Sequence, residues 1–139
     1  MKNLVYFVKM SSSSDLINIP YLTSFEHVTT TLQHLKDTIV LLYFTASWCG
    51  PCQRIKPFVQ QLTIKYPTLK VFLIDVDNAD DASARFAVKS MPTFCLFKGK
   101  EPIFRFSGAD QDKLSMLVEV AIKAAASGDS VQQPIIRNT

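Results

Sequence analysis

Two cysteines separated by two residues are the most chemically informative feature of this chain. They lie in the segment Trp48-Cys49-Gly50-Pro51-Cys52, which directly follows the apolar run Ile39 to Phe44. That run has the length and the β-branched and aromatic character of an inner parallel strand, and the apolar spacing after the cysteines predicts a helix. The two thiols would stand one helical turn apart, so the pair can open and close as a disulfide.

Cys49 is placed at the N-terminus of the predicted helix. Apolar residues at spacings of three and four form the buried face of this helix: Ile55, Val59, Leu62 and Tyr66. At a helix N-terminus, unpaired amide groups and the positive end of the macrodipole favour a negative sulfur over a neutral thiol. Because the thiolate is the nucleophile, this position predicts a reactive Cys49.

A zinc site is the main alternative use of a Cys-x-x-Cys pair. Such a site needs further ligands, usually a second close pair. The remaining candidates are Cys95, in the middle of a predicted strand, and His27 and His34 on the first predicted helix. They do not form a close pair, so the sequence predicts no metal. Cys95 is predicted to be a small buried apolar side chain, and the histidines are predicted to face solvent.

The composition is typical of one globular domain. Of 139 residues, 47% are hydrophobic and 19% are charged, which is enough apolar material for a single core. The formal net charge is +3 and its Lys and Arg are scattered, so we predict no nucleic-acid binding. No segment approaches the roughly 20 apolar residues of a membrane span. Three cysteines are too few for a disulfide framework, which favours a redox-active pair in a reducing, cytoplasmic location.

The predicted domain covers residues 15–126, with an extension at each end. Residues 1–14 are predicted to be a flexible extension, because the apolar run Leu4 to Val8 is too short for a secretory signal. A targeting role for this segment, to an organelle or for secretion, is the alternative, and Met10 is an alternative start of translation. Residues 127–139 are polar and are predicted to form a loose tail.

Strand and helix patterns alternate along the domain. The predicted elements, in chain order, are a strand at Leu16–Ile19, a helix with a capping box at Thr23-Ser24-Phe25-Glu26, the strand Ile39–Thr45, the dithiol helix, a strand at Leu69–Val76, a short helix at Ala82–Val88, strands at Thr93–Phe97 and Ile103–Phe106, and a last helix capped by Asp110. The Lys98-Gly99-Lys100-Glu101 turn is short enough for an antiparallel hairpin. The predicted fold is therefore α/β, with a mixed five-stranded sheet of three parallel strands plus the hairpin, and about four helices on both faces.

Several separate features, in the expected order, resemble the thioredoxin family. They are the Trp48-Cys49-Gly50-Pro51-Cys52 segment, Pro57 in the following helix, Asp77 after the third strand, Met91-Pro92-Thr93 before the fourth strand, and Phe106-Ser107-Gly108-Ala109 after the fifth. A Cys-x-x-Cys pair alone is weak evidence because zinc sites also use it, but this combination is specific. Thioredoxin is itself a standard example of a lowered cysteine pKa, so that tendency follows here from the resemblance.

The resemblance implies a thioredoxin fold and a protein-disulfide reductase. Cys49 would attack a disulfide of a client protein to form a mixed disulfide, and Cys52 would then attack the Cys49 sulfur and release the reduced client. Two electrons move without a bound cofactor. Gly50 and Pro51 keep the turn tight, and in the family a proline at this position favours reduction. The implied partners are client proteins, for example peroxiredoxin-type enzymes, and a thioredoxin reductase that recharges this monomeric electron carrier.

The resemblance also assigns residues around the dithiol. Trp48 is expected to pack over it, with the indole N–H reaching Asp77. Pro92 is expected to follow a cis peptide bond, and the Met91 backbone to offer strand-like hydrogen bonds to an extended client segment. Gly108 is expected to leave room for the backbone of that segment.

One position departs from the family pattern. The family usually has a buried Asp, thought to help deprotonate the second cysteine, where this chain has Tyr43, and the charged partner of that Asp is replaced by Leu73. Tyr titrates at about 10 in water, so Tyr43 is a poor base, although its hydroxyl can orient a water or steady a thiolate. We therefore predict a slower resolving step with a simpler pH profile, in which Cys52 gives its proton to water or to the leaving sulfur.

Two other functions would use the same region. A binding module would dock partners on the groove around Trp48 and Met91, with weak redox activity. The missing Asp favours this function, whereas the intact Cys49 and Cys52 oppose it. A disulfide-forming oxidant or isomerase of an oxidising compartment is disfavoured by the Gly-Pro dipeptide and the poor signal segment.

Overall fold

The computed structural model describes residues 18–128. Its helices are α1 (Phe25–His34), α2 (Gly50–Lys65), α3 (Asp80–Arg85) and α4 (Gln111–Ala126), and its strands are β1 (Ile39–Thr45), β2 (Lys70–Asp75), β3 (Thr93–Lys98) and β4 (Glu101–Ser107). The predicted extension at 1–14 and the tail from residue 129 onward lie outside the described residues.

The strands form one mixed sheet in the order β2-β1-β3-β4. β1 pairs with β2 in parallel and with β3 in antiparallel orientation, and β3 pairs with β4 as the predicted antiparallel hairpin. The prediction of an α/β fold with a mixed sheet and four helices is confirmed. All seven residues of β1 are buried, as expected for the central strand that leads into the dithiol.

The prediction of five strands, three of them parallel, is wrong for the part of the chain that the structure describes, which has four. Leu16 and Ile17 of the predicted first strand lie outside that part. The segment after them forms a single parallel bridge, between Tyr21 and Leu73. The Pro20 carbonyl accepts a hydrogen bond from the Leu73 amide (2.9 Å), but Pro20 has no amide hydrogen to donate. Ser24 already caps α1 three residues after Tyr21. The pairing of this segment with β2 therefore extends no further than one bridge.

Two helix boundaries also differ from the sequence prediction. The N-cap of α1 is Ser24, whose Oγ accepts a hydrogen bond from the His27 amide (3.0 Å), so the capping box that begins at Thr23 is wrong by one residue. The short helix predicted at Ala82–Val88 is α3, which begins and ends earlier. The Asp110 cap is confirmed, since its carboxylate accepts from the Lys113 amide (3.0 Å).

Hydrophobic side chains cover both faces of the sheet. On one face, α2 and α4 pack over a cluster that includes Tyr43, Leu73 and Phe94. On the other face, α1 and α3 pack over a second cluster that includes Phe44 and Cys95. Successive residues of β1 therefore contribute to opposite clusters, as the alternation of a strand requires.

Candidate active site

The dithiol lies where β1 ends and α2 begins, as predicted. Cys49 is the N-cap of α2, and its Sγ accepts a hydrogen bond from the Cys52 amide (3.1 Å). Pro51 occupies the first turn, where a helix has no use for an amide donor. Cys49 and Cys52 are joined by a disulfide, with their Cα atoms 5.3 Å apart. The helix start thus holds both sulfurs at bonding distance.

The two cysteines of the pair differ in their access to solvent. Cys49 is 5% exposed, whereas Cys52 is completely buried. Both pack against Ala46, with Val76 and Met91 partly buried beside them. Cys49 is therefore the outer sulfur, and a partner protein can reach Cys52 only through it.

Trp48 lies on the surface beside the dithiol. Its side chain is 65% exposed, and its Nε1 donates a hydrogen bond to Asp77 Oδ2 (2.8 Å). The Asp77 amide in turn donates to Asp75 Oδ1 (2.9 Å), which holds the loop after β2 in place. The expected contact between Trp48 and Asp77 is present.

Met91 lies beside the dithiol, and it is followed by Pro92, which is hydrogen-bonded to Gly108. The Met91–Pro92 peptide bond is cis, and the Met91 carbonyl oxygen lies 3.7 Å from Cys49 Sγ. The Gly108 amide donates to the Pro92 carbonyl (2.9 Å). Gly108 has φ +110°, a conformation that favours glycine, and a Cβ at this position would have no neighbour within 4 Å. Open space therefore adjoins the backbone at Gly108.

Tyr43 lies beneath Cys52 in the core. It is fully buried opposite Leu73 on β2, it stacks on Phe94 with ring centroids 5.0 Å apart, and its hydroxyl donates to the Cys52 carbonyl oxygen. Burial raises the pKa of Tyr43 to about 12, although a hydrogen bond with the Thr45 side chain opposes the shift. At neutral pH Tyr43 is therefore a neutral hydrogen-bond donor to the backbone of Cys52.

A small polar cavity lies close to Tyr43, and the sequence analysis did not identify it. Its volume is about 140 Å³, and three of its polar side chains are Thr45, Lys56 and Asp75. Thr45 follows Tyr43 by two positions along β1, and Asp75 follows Leu73 by two positions along β2. Since side chains two positions apart in a strand lie on the same face, the sequence could have placed Thr45 and Asp75 next to Tyr43 and Leu73.

Cys95 and the histidines are not brought to the dithiol. Cys95 is 4% exposed and lies in the cluster on the other face of the sheet, and burial raises its pKa to about 11, although the Arg105 charge opposes the shift. His27 and His34 are exposed on α1, as predicted. Among residues 18–128, no group of three or more His, Cys, Asp or Glu side chains is arranged to hold a metal ion.

The family model described as Thioredoxin matches residues 21–120. This chain belongs to the thioredoxin family. The thioredoxin of Ophiophagus hannah is 42% identical over 92 residues, which are 66% of this chain and 84% of that protein. The human thioredoxin is 42% identical over 82 residues, which are 59% of this chain and 78% of that protein.

Solved thioredoxin structures share the fold. Fasciola hepatica thioredoxin has a TM-score of 0.71 at 32% identity, with 73% of this chain and 97% of that chain covered. Trypanosoma brucei brucei thioredoxin has a TM-score of 0.72 at 24% identity, with 82% and 99% covered. A chain from a study of the thiol resolving mechanism of yeast mitochondrial 1-Cys peroxiredoxin via glutathione/thioredoxin systems has a TM-score of 0.69 at 27% identity, with 73% and 94% covered.

Thioredoxin membership and the placement of the Cys49–Cys52 pair together establish the chemical class. The protein is a thiol–disulfide oxidoreductase with protein-disulfide reductase activity, and the alternative of a binding module is not favoured. None of the helices within residues 18–128 combines the length and the hydropathy of a membrane span.

Proposed function

We propose that Cys49 is the nucleophile and Cys52 the resolving cysteine of this thioredoxin. The observation that carries the proposal is the asymmetry of the pair. Cys49 keeps 5% of its surface accessible, caps α2 and lies beside the Met91 carbonyl, whereas Cys52 is completely buried one turn further along the helix. A thiol at a helix N-terminus is favoured as the thiolate, and the thiolate is the attacking species.

The reaction transfers two electrons in two exchanges. The Cys49 thiolate attacks one sulfur of a client disulfide, so a mixed disulfide forms and the other client sulfur leaves as a thiolate. The Cys52 thiolate then attacks Cys49 Sγ, which breaks the bond to the client and releases its second thiolate. The product is the Cys49–Cys52 disulfide that the structure contains.

The residues around the dithiol have supporting roles in this proposal. Gly50 and Pro51 form the first turn of α2 and hold the two sulfurs together. Trp48, fixed by Asp77, covers one side of the pair with its exposed ring. Tyr43 positions Cys52 from below through the carbonyl hydrogen bond.

The client is proposed to bind in the groove on the opposite side of the dithiol. An extended segment would pair with the backbone at Met91, beside the cis bond to Pro92, in the manner of an added strand. The open space at Gly108 would accommodate the backbone of that segment. The backbone at Met91 lies close to the reactive sulfur, since its carbonyl oxygen is 3.7 Å from Cys49 Sγ.

The proposed partners are a thioredoxin reductase and disulfide-containing clients, including peroxiredoxin-type enzymes. The yeast neighbour supports a peroxiredoxin client, because that study concerned the resolution of a 1-Cys peroxiredoxin through glutathione/thioredoxin systems. A role in cellular redox homeostasis, as a monomeric electron carrier of the cytoplasm, agrees with a dithiol that has to be kept reduced.

Reduction of insulin disulfides by dithiothreitol tests the assignment. We expect the unmodified protein to accelerate insulin reduction, Cys49→Ser to be inactive, and Cys52→Ser to accumulate a mixed disulfide that mass spectrometry detects. Cys95→Ser is the matched control and should retain the rate. An active Cys49→Ser variant, or a mixed disulfide on Cys52 in place of Cys49, would contradict the proposal.

A further inference from the structure

The polar cavity lies on the face of the sheet that α2 covers. It is bounded by the ends of β1 and β2, by α2 and by Tyr21. Its polar lining is provided by six side chains: Tyr21, Thr45, Ser47, Gln53, Lys56 and Asp75. A polar cavity of about 140 Å³ is large enough to hold several water molecules.

Two residues connect this cavity to Cys52. Ala46 lines the cavity and also packs against Cys52, and its carbonyl accepts a hydrogen bond from Gln53 Nε2 (3.1 Å). Tyr43 donates to the Cys52 carbonyl and is the neighbour of Thr45 on the same face of β1. The cavity is thus separated from Cys52 by Ala46, and Tyr43 connects Cys52 to the strand that lines it.

Asp75 and Lys56 are the charged groups that line the cavity. Tyr21, whose hydroxyl is titratable, also lines the cavity. The titratable hydroxyl of Tyr43 belongs to the residue two positions before Thr45 on the same face of β1. Within residues 18–128 the structure shows an ion pair between Lys123 and Glu119. Lys56 and Asp75 line the cavity without forming an ion pair with each other. Asp75 Oδ1 accepts from the Asp77 amide, and a carboxylate accepts at both oxygens, so Oδ2 is available to water.

Tyr43 itself cannot serve as the proton acceptor. Its single hydroxyl proton is directed at the Cys52 carbonyl, and its pKa of about 12 keeps it neutral over the working range. The position opposite Tyr43 on β2 is the apolar Leu73. The nearest carboxylate on this face of the two strands is Asp75, two residues further along β2.

We infer that Asp75 accepts the proton of Cys52 through water in this cavity. The inference rests on the proposed function, because it concerns the resolving step. The Cys52 thiol passes its proton through water to the Asp75 carboxylate, and the resulting thiolate forms the bond to Cys49 Sγ. The bond between Cys49 and the client breaks, the client sulfur leaves as a thiolate, and Asp75 returns the proton to solvent.

Reaction of the reduced full-length chain with 5,5′-dithiobis(2-nitrobenzoate) separates the two steps. The first coloured thiolate is released when Cys49 forms the mixed disulfide, and the second when Cys52 resolves it. Asp75→Asn retains an oxygen that can accept from the Asp77 amide. We expect the first phase of this variant to be unchanged. We expect the second phase to be about tenfold slower and to lose the pH dependence that a carboxylate acceptor gives it.

Asp112→Asn is the matched control, because Asp112 is an exposed carboxylate on α4. Both of its phases should equal those of the unmodified protein.

Two different results would overturn two different conclusions. If the second phase of Asp75→Asn matches the unmodified protein in rate and pH dependence, Asp75 is not the acceptor. If Cys52→Ser retains the second phase, or Cys49→Ser retains the first, the proposed roles of the cysteines are wrong. An unchanged first phase in Asp75→Asn shows that the helix start and the dithiol are correctly folded in that variant.

Discussion

Cys49 and Cys95 are almost equally buried, at 5% and 4% exposure, yet they occupy chemically opposite environments. Cys49 caps a helix and accepts a hydrogen bond from the Cys52 amide. Cys95 lies in the middle of β3, paired with Leu42 on one side and Arg105 on the other, among apolar side chains. The comparison predicts that accessible area alone does not decide the reactivity of a thiol in this protein.

The difference arises from the backbone amides. In a sheet, the amides of a central strand are used by the carbonyls of neighbouring strands, so they are not available to a thiolate. At a helix N-terminus the first amides have no partner within the helix, so a sulfur placed there can accept hydrogen bonds from them. We therefore expect the same side chain to act as a nucleophile at Cys49 and as a small apolar core residue at Cys95.

The largest expected effect is the difference in alkylation rate between these two cysteines. In the reduced folded protein at pH 7, iodoacetamide should modify Cys49 about a thousandfold faster than Cys95. The pKa of Cys95 is raised to about 11, so only a very small fraction of the Cys95 side chains is in the reactive thiolate form at this pH. Peptide mass spectrometry measures both rates. In 6 M guanidinium the rates should converge, and a Cys49 no more reactive than free cysteine would contradict the comparison.

Tyr43→Asp should sharpen the comparison on the dithiol side. A carboxylate in this buried position should lower the free energy of unfolding by about 2–4 kcal/mol, and should accelerate the resolving step with a new pH inflection. Chemical denaturation and disulfide reduction against pH measure the two effects. Tyr43→Phe is the control, and it should cost about 1–2 kcal/mol for the lost hydrogen bond without a new inflection. An unchanged rate and profile for Tyr43→Asp would disprove the predicted effect of this substitution.

Alkaline pH should weaken the fold through both regions. Burial raises the pKa of Cys95 to about 11 and that of Tyr43 to about 12, so the folded state holds these protons more tightly than the unfolded state. The contribution of these two groups to stability is fully present below their unfolded pKa values. It is lost as pH rises toward the folded values, by about 3 kcal/mol in total up to pH 10.5. Urea midpoints between pH 8 and 10.5 measure the loss. Cys95→Ala should reduce the slope, and a slope equal to that of the unmodified protein would show that Cys95 does not contribute.

The smallest expected effect concerns Trp48. Trp48→Phe removes the hydrogen bond to Asp77 at an exposed position, which should cost at most about 1 kcal/mol of stability. Insulin reduction should slow by about twofold, because the ring remains. Asp77→Asn keeps an acceptor oxygen and should show an even smaller loss. A tenfold loss of activity in either variant would mean that this contact contributes to the chemistry and not only to the placement of the ring.

The parts of the site that the sequence predicted depend on short-range patterns. The start of α2 at the dithiol follows from the spacing of apolar residues after Cys52, and the hairpin follows from the turn around Gly99. The Trp48–Asp77 contact and the cis bond before Pro92 came from the family resemblance, which carries spatial information that composition and spacing do not.

The parts that the sequence did not predict depend on pairing between distant segments. The number of strands was overestimated because the spacing around Ile19 does not show that pairing with β2 is limited to one bridge at Tyr21. The polar cavity was missed because Thr45, Lys56 and Asp75 meet only through the parallel register of β1 with β2 and the position of α2 over them. No local pattern in the sequence encodes that register.

The exposed ring of Trp48 gives this protein an optical reporter. It is the only tryptophan of the chain and directly precedes Cys49. A disulfide quenches a nearby excited indole by accepting an electron, and a dithiol does so much less. The Trp48 fluorescence of the unlabelled protein should therefore increase when the Cys49–Cys52 disulfide is reduced and decrease when the dithiol is oxidised again. Each turnover can then be followed without a dye.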